Sequence, residues 1–273
     1  MTNRQPRRLH LPRSPDALPA LPDPAPVGRF RSGRMADALP EALKSWRITT
    51  PHTMVADSTA QLLGGTVHSL ASSGDDVFEV LTDAAEVDIV VDAPSAITTE
   101  LKLWGRQGLA HHCDGSVFLS TDGRAGSPCG CPASHAERRA MARVGQGPQV
   151  YTATRFRLAM LPGIGSFLHE SLSWELAEEV SDIRDALGRT GLPAYLRLKL
   201  ACTKFSNSAG VRVARQRPIL EFVAPIATGW PRPRINTGHL GSEAARTAWR
   251  AVVRAFQHLR GPAGVRPVPI VCR

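Results

Sequence analysis

The chain has 273 residues, enough for one large domain or two small ones with a substantial core. Hydrophobic content of 42% and charged content of 21% are those of a globular protein, and no apolar run approaches the ~18 residues that span a bilayer. The formal charge of +9 sits at the ends: seven arginines against two aspartates give residues 1–34 a charge of +5, eight arginines against one glutamate give residues 231–273 +7, and the middle is left at −3. A near-neutral body therefore carries basic extensions able to approach an acidic partner or a nucleic acid. Arginine outnumbers lysine 29 to four, a skew that GC-rich coding also produces, so arginine content alone argues little for phosphate binding. Five cysteines, three of them clustered, fit metal binding in a reducing compartment better than a disulfide frame. With no apolar stretch behind the basic, proline-rich N-terminus, a cytoplasmic location is expected.

Residues 1–26 hold seven prolines among Arg, Ala and Leu and predict an extended, disordered arm. Residues 27–34 read as a basic loop anchored by Phe30, with Arg29, Arg31 and Arg34 spaced either to clamp phosphates or carboxylates or to lie in solvent. A helical turn is predicted over 40–44 and a strand over 46–50, with Trp46 and Ile48 on one face. Thr50-Pro51 predicts a helix N-terminus and Gly64-Gly65 its end, with Met54, Val55, Leu62 and Leu63 facing inward. Alternating strands follow at 77–82, 87–91 and 98–104, their short connections predicting an antiparallel sheet.

Beyond the cysteine-bearing loop, a short helix is predicted over 134–144 and strands over 150–160 and 166–169. The stretch 171–175 opens a helix with Ser as its cap, which Gly188 and Gly191 stop near Leu187. Residues 195–205 and 211–223 form a hairpin around 207–210. Residues 224–240 read as a linker, and 241–273 as an amphipathic helix and tail. Trp249, Val252, Val253, Phe256 and Leu259 line the helix's apolar face, while Arg246, Arg250 and Arg254 form a basic ridge suited to a partner, a phosphate backbone or plain solvent. The fold class is α+β, mainly an antiparallel sheet with flanking helices and a zinc-pinned loop.

That loop is the chemical centre of the chain. Cys113, Cys129 and Cys131 lie within nineteen residues, among turns rich in Gly and Pro that let distant sulfurs converge. Tetrahedral zinc needs four donors, so a fourth ligand is required, and His111, His112 and His135 are the candidates. The competing reading is of buried thiols acting as small hydrophobes beside ordinary Asp-Gly turns. Catalytic zinc is disfavoured, since three thiolates make a poor Lewis acid and no general base has matching spacing. A phosphate-binding glycine loop and a nucleophile elbow are both absent from the sequence.

Several motifs recur in order: Gly28-Arg29-Phe30-Arg31-Ser32-Gly33, Pro40-Glu41-Ala42-Leu43, Trp46-Arg47-Ile48-Thr49-Thr50, Leu62-Leu63-Gly64-Gly65 and Glu79-Val80-Leu81-Thr82. Leu103-Trp104-Gly105, Cys113-Asp114-Gly115, Cys129-x-Cys131-Pro132, Phe156-Arg157-Leu158-Ala159, Pro162-Gly163-x-Gly165 and Ser171-x-Ser173-Trp174-Glu175 complete the series. Over residues 27–223 this pattern resembles the phage recombination directionality factor-like family, which includes partners of large serine integrases. The resemblance implies a non-enzymatic factor that binds an integrase on DNA and favours excision. It also implies a four-cysteine set whose last member follows the second glycine-bearing turn, where this chain has Pro148; either a histidine substitutes, His135 first and His112 second, or the zinc is lost and packing holds the loop. The basic terminal helix lies outside the matched region. An alternative from another class is a zinc-stabilised nucleic-acid-binding protein that uses its basic ends.

Overall fold

The structure, a computed structural model, describes residues 25–36, 39–70, 76–120, 122–206 and 212–226. Strands β1 (Gly28–Ala36), β2 (Leu39–Thr50), β3 (Thr66–Ser69), β4 (Phe78–Leu81), β5 (Glu86–Val91), β6 (Ile97–Gly105) and β7 (Gly108–Cys113) occupy the first half, broken by helix α1 (Thr53–Leu63). Helix α2 (His135–Arg143), strands β8 (Gln149–Leu158) and β9 (Ser166–Ser171), helix α3 (Trp174–Thr190) and the hairpin β10 (Ala194–Ser206) and β11 (Arg212–Pro225) follow. One sheet runs β11-β10-β5-β8-β9-β1-β2-β4-β3, and the β6–β7 hairpin branches from β8. Its described pairings are antiparallel except β1 with β9, so the expected α+β class is the observed one.

Period-two alternation puts the apolar side chains of these strands on one face, and α1 and α3 close that face. Phe30 lies at the centre, its ring edge-on to Trp46, Phe156 and Phe167. Ser173 caps α3 by accepting a hydrogen bond from the Leu176 amide, and Gly191, in the left-handed conformation, ends it. The opposite sheet face is laced with ion pairs, among them Arg47–Glu79, Arg197–Asp88 and Lys199–Glu221. Among the described residues no helix is long and apolar enough to cross a membrane.

Several expectations are corrected. Residues 28–36 form a strand rather than a loop, because β2 on one side and β9 on the other satisfy its backbone. Residues 40–44 continue β2 instead of making a helical turn: Arg34 lies opposite Glu41 and Gly33 opposite Ala42, so cross-strand pairing overrides local helical preference. Thr50 ends β2 rather than capping α1; its hydroxyl donates to the Val27 carbonyl, and α1 begins at Thr53 behind His52. Met54, expected inside, is 77% exposed, whereas Ala56 and Thr59 join Val55 in the buried face. Strands β3 and β7 were not anticipated, α3 runs through Gly188, and β11 extends to Pro225, into the expected linker. Apart from residues 25 and 26, the N-terminal arm lies outside the described residues, as does the segment expected to be a helix carrying Arg246, Arg250 and Arg254.

Candidate metal centre

The centre is built on β6 and β7. Leu101 pairs with Cys113 and Leu103 with His111. Strand alternation directs His111 and Cys113 to one face and His112 to the other, where it meets Glu100 at 2.9 Å. Past Cys113 the chain must turn back. Asp114 Oδ1 accepts hydrogen bonds from the Ser116 and Val117 amides at 2.7 and 2.8 Å, and Gly115 takes a φ of 96° that a side chain would oppose. Bridges Cys113–Phe118 and Val117–Pro128, with the Cys129 amide donating to the Ser116 carbonyl, return the loop beside β7. Gly130, at φ 74°, bends the chain between Cys129 and Cys131 so that both sulfurs turn to one point.

The result is four donors within 4.8 Å of one another: His111, Cys113, Cys129 and Cys131. Cys113 and Cys131 Sγ are 3.7 Å apart, and His111 Nε2 lies 3.1 Å and 3.4 Å from these two sulfurs. A zinc tetrahedron with Zn–S bonds of about 2.3 Å has S···S edges of about 3.8 Å and N···S edges of about 3.6 Å; the Cys113–Cys131 edge matches and the two histidine edges are a few tenths of an ångström short, while the set as a whole spans 4.8 Å and would draw in at its widest edge on binding. Outer contacts hold the donors: the Gly115 amide donates to Cys113 Sγ at 3.3 Å, and Arg138 donates to the Gly115 and Pro132 carbonyls.

Electrostatics divide the thiols. Burial pushes Cys113 well up from its ordinary value, and burial likewise raises Cys131. Cys129 is held below its ordinary value: burial opposes ionisation, but the Cys131 amide and the neighbouring thiols outweigh it. Burial, with the charges of Arg124 and His112, holds His111 low, so its ring is neutral at pH 7 and free to donate an electron pair.

Three of the four sequence candidates thus converge and the fourth does not. His135 opens α2, its ring edge-on to Trp174 at 4.9 Å and its Nδ1 2.6 Å from Glu178 Oε1, so it is committed to the α2–α3 contact. His111 takes the fourth place instead. The signal lay in two like spacings, His-x-Cys on a strand and Cys-x-Cys on a turn, and it was hidden because β7 was read as loop. Arg29, Arg31 and Arg34 lie on β1 and are already engaged: Arg29 with Glu170 at 2.9 Å, Arg31 with Asp76 at 3.3 Å, and Arg34 with Glu41 at 2.6 Å.

What these features define is a sheet protein in which, among the described residues, one histidine and three cysteines converge at the base of the β6–β7 hairpin as a candidate metal centre. Residues 27–222 match the family model described as "Gp3-like: Recombination directionality factor-like", and the chain belongs to that family. No solved structure matches it.

Proposed function

We propose that the chain is an accessory factor that binds a large serine integrase on DNA and biases site-specific recombination toward excision, without catalysing strand cleavage itself. The observation that carries this reading is family membership across residues 27–222. Physically the factor has to bind one arrangement of the integrase better than another. A preference of about 5.5 kcal/mol would turn a 1:99 equilibrium into 99:1, and each ~1.4 kcal/mol of preference changes the ratio about tenfold.

The same reading assigns a structural zinc to His111, Cys113, Cys129 and Cys131, supported by their mutual spacing. Zinc would supply cross-linking between β7 and the returning loop; the residues themselves orient the donors and exclude water. The basic ends, +5 and +7 in formal charge, support a supplementary contact with the DNA to which the integrase is bound.

The test is a pull-down of the purified protein with a serine integrase encoded nearby, followed by attL × attR recombination with and without it. Excision that depends on the added protein is the expected result. Absence of binding and stimulation, with salt-sensitive affinity for free DNA, would move the assignment to a nucleic-acid-binding protein.

A further inference from the structure

The β6–β7 hairpin leaves the sheet. β8 supports β6 only from Ile97 to Lys102, so among the described residues the strand pairing of Leu103 to Gly105 is with the start of β7, whose Ala110 carbonyl also accepts from Arg124. On this projection Trp104 pairs with Leu109, and they are 61% and 40% exposed. Isolated exposed apolar residues need no explanation, but an exposed tryptophan paired across the hairpin with an exposed leucine, and followed two residues on by an arginine at the turn, brings together two of the residue types that dominate binding hot spots.

The turn itself is Gly105-Arg106-Gln107-Gly108, with Gly108 at φ 112°. Arg106 has no carboxylate partner among the described residues. Neighbouring charges are spent internally: Glu100 lies between Lys102 and His112, and Asp122 binds Arg124, which stacks over Phe118. The tip therefore presents apolar surface plus one uncompensated positive charge. The zinc proposed above would also stiffen its mounting, because His111 and Cys113 at the hairpin's base belong to the donor cluster.

We propose that this tip is the anchor through which the chain grips its protein partner, with Trp104 and Leu109 entering an apolar pocket whose rim carries a carboxylate opposite Arg106. The inference rests on the directionality reading, which makes the partner the integrase. A convex, preorganised knob requires a concave counterpart, and little ordering entropy is lost when it docks. Charge favours a protein over a nucleic acid. Phosphate binding needs several free cations, whereas the tip offers Arg106 alone and the arginines of the open sheet face are paired with carboxylates. Burying these side chains supplies on the order of 200 Å², against about 800 Å² per partner in a stable interface, so the tip is the energetic centre of a larger contact.

The experiment compares the full chain with Trp104→Ser, Leu109→Ser and Arg106→Glu, measuring integrase affinity alongside melting temperature and zinc content. Met54→Ser, exposed on α1 at the far side of the sheet, serves as a control. The two tip serine variants are expected to weaken integrase binding at least tenfold, with melting and zinc content as in the parent. Arg106→Glu should slow association at low salt, and Met54→Ser should bind as the parent does. Parental integrase affinity in both tip serine variants overturns the tip assignment and leaves the directionality reading standing. A parent chain that binds no integrase overturns both. If the tip variants lose affinity only for free duplex DNA, the tip belongs to a nucleic-acid contact and the proposal fails.

Discussion

Replacing His111 with alanine separates the two candidate fourth ligands. Its Nε2 sits 3.1 Å and 3.4 Å from two of the sulfurs, and its ring packs against Phe118 at 4.8 Å. Structural zinc sites bind with about 10–16 kcal/mol at neutral pH; divided over four ligands, one donor accounts for about 3–4 kcal/mol, or a loss of affinity on the order of 10²-fold or more. His135→Ala removes only an edge contact to Trp174 and a partly exposed pairing with Glu178, together worth about 1 kcal/mol. Competition with a colorimetric chelator reads the zinc affinity, and thermal melting reads the packing. His111→Ala should surrender zinc at far lower chelator concentration than the parent, while His135→Ala should match the parent. The reverse pattern, with His135→Ala losing zinc and His111→Ala keeping it, would refute the assignment.

Core, turn and pH predictions follow from the same structure. Phe30→Ala removes a ring that meets three other aromatic rings and should cost about 3–5 kcal/mol in denaturant unfolding, enough to leave a marginal fold. Gly65→Ala should be as severe, since at φ 91° its Cβ would stand 1.9 Å from the Leu81 carbonyl oxygen; Gly123→Ala, at φ 47° in open space, should cost only about 1–2 kcal/mol by the same measurement. His169 is fully buried and held below its ordinary pKa by burial, against weaker opposing effects of the Phe30 carbonyl and Glu170. Its Nδ1–H donates to the Phe30 carbonyl at 3.0 Å while Nε2 has no partner, so the folded state favours the neutral ring. Its contribution is complete above the unfolded pKa of about 6.5 and is lost as pH falls below it, by up to about 1.4 kcal/mol per unit. Melting curves from pH 7.5 to 5 should show this slope in the parent and a shallower one in His169→Asn.

Legibility tracked how much of a strand's identity lies in its own side chains. Residues 77–82, 87–91 and 98–104 alternate apolar and polar residues because one face of each is buried, and there the expected elements and the observed β4, β5 and β6 nearly coincide. β1 carries a single large apolar residue, Phe30, and its arginines point to the ion-paired face, so locally it resembles a solvated loop. Its strand character comes from β2 and β9, distant in sequence. Gly28 has a reason no sequence window contains: a Cβ there would press on the Thr49 carbonyl and the Phe167 ring at 3.0 and 3.1 Å. β7 was lost for a similar cause, and with it the alternation that separates His111 from His112. The thiolate set was readable from spacing alone because cysteines gather for few reasons, whereas the histidine could be chosen only once the strand beneath it was known.

A zinc held by the proposed ligands would be coupled unevenly to the fold, and this gives the last prediction. The sheet and helices α1 and α3 share one large apolar cluster, while the donor loop sits over a second, small one formed by Leu101, Cys113, Cys129, Ala142, Val150, Trp174 and Ala177. Two of those seven residues belong to the donor cluster, so if that cluster holds the proposed zinc, the metal-free chain lacks a cross-link there and keeps little apolar area in its place. Chelation should therefore raise amide exchange first in β7 and the segment from 114 to 131, with β8 and β10 protected until global unfolding. Hydrogen-exchange mass spectrometry with and without chelator tests this directly, and uniform loss of protection across all strands would show instead that the zinc supports the whole sheet. If exchange stays local, a metal-free chain should remain folded yet lose affinity for its partner, because the projecting tip is mounted on the strand that the proposed zinc would hold in place.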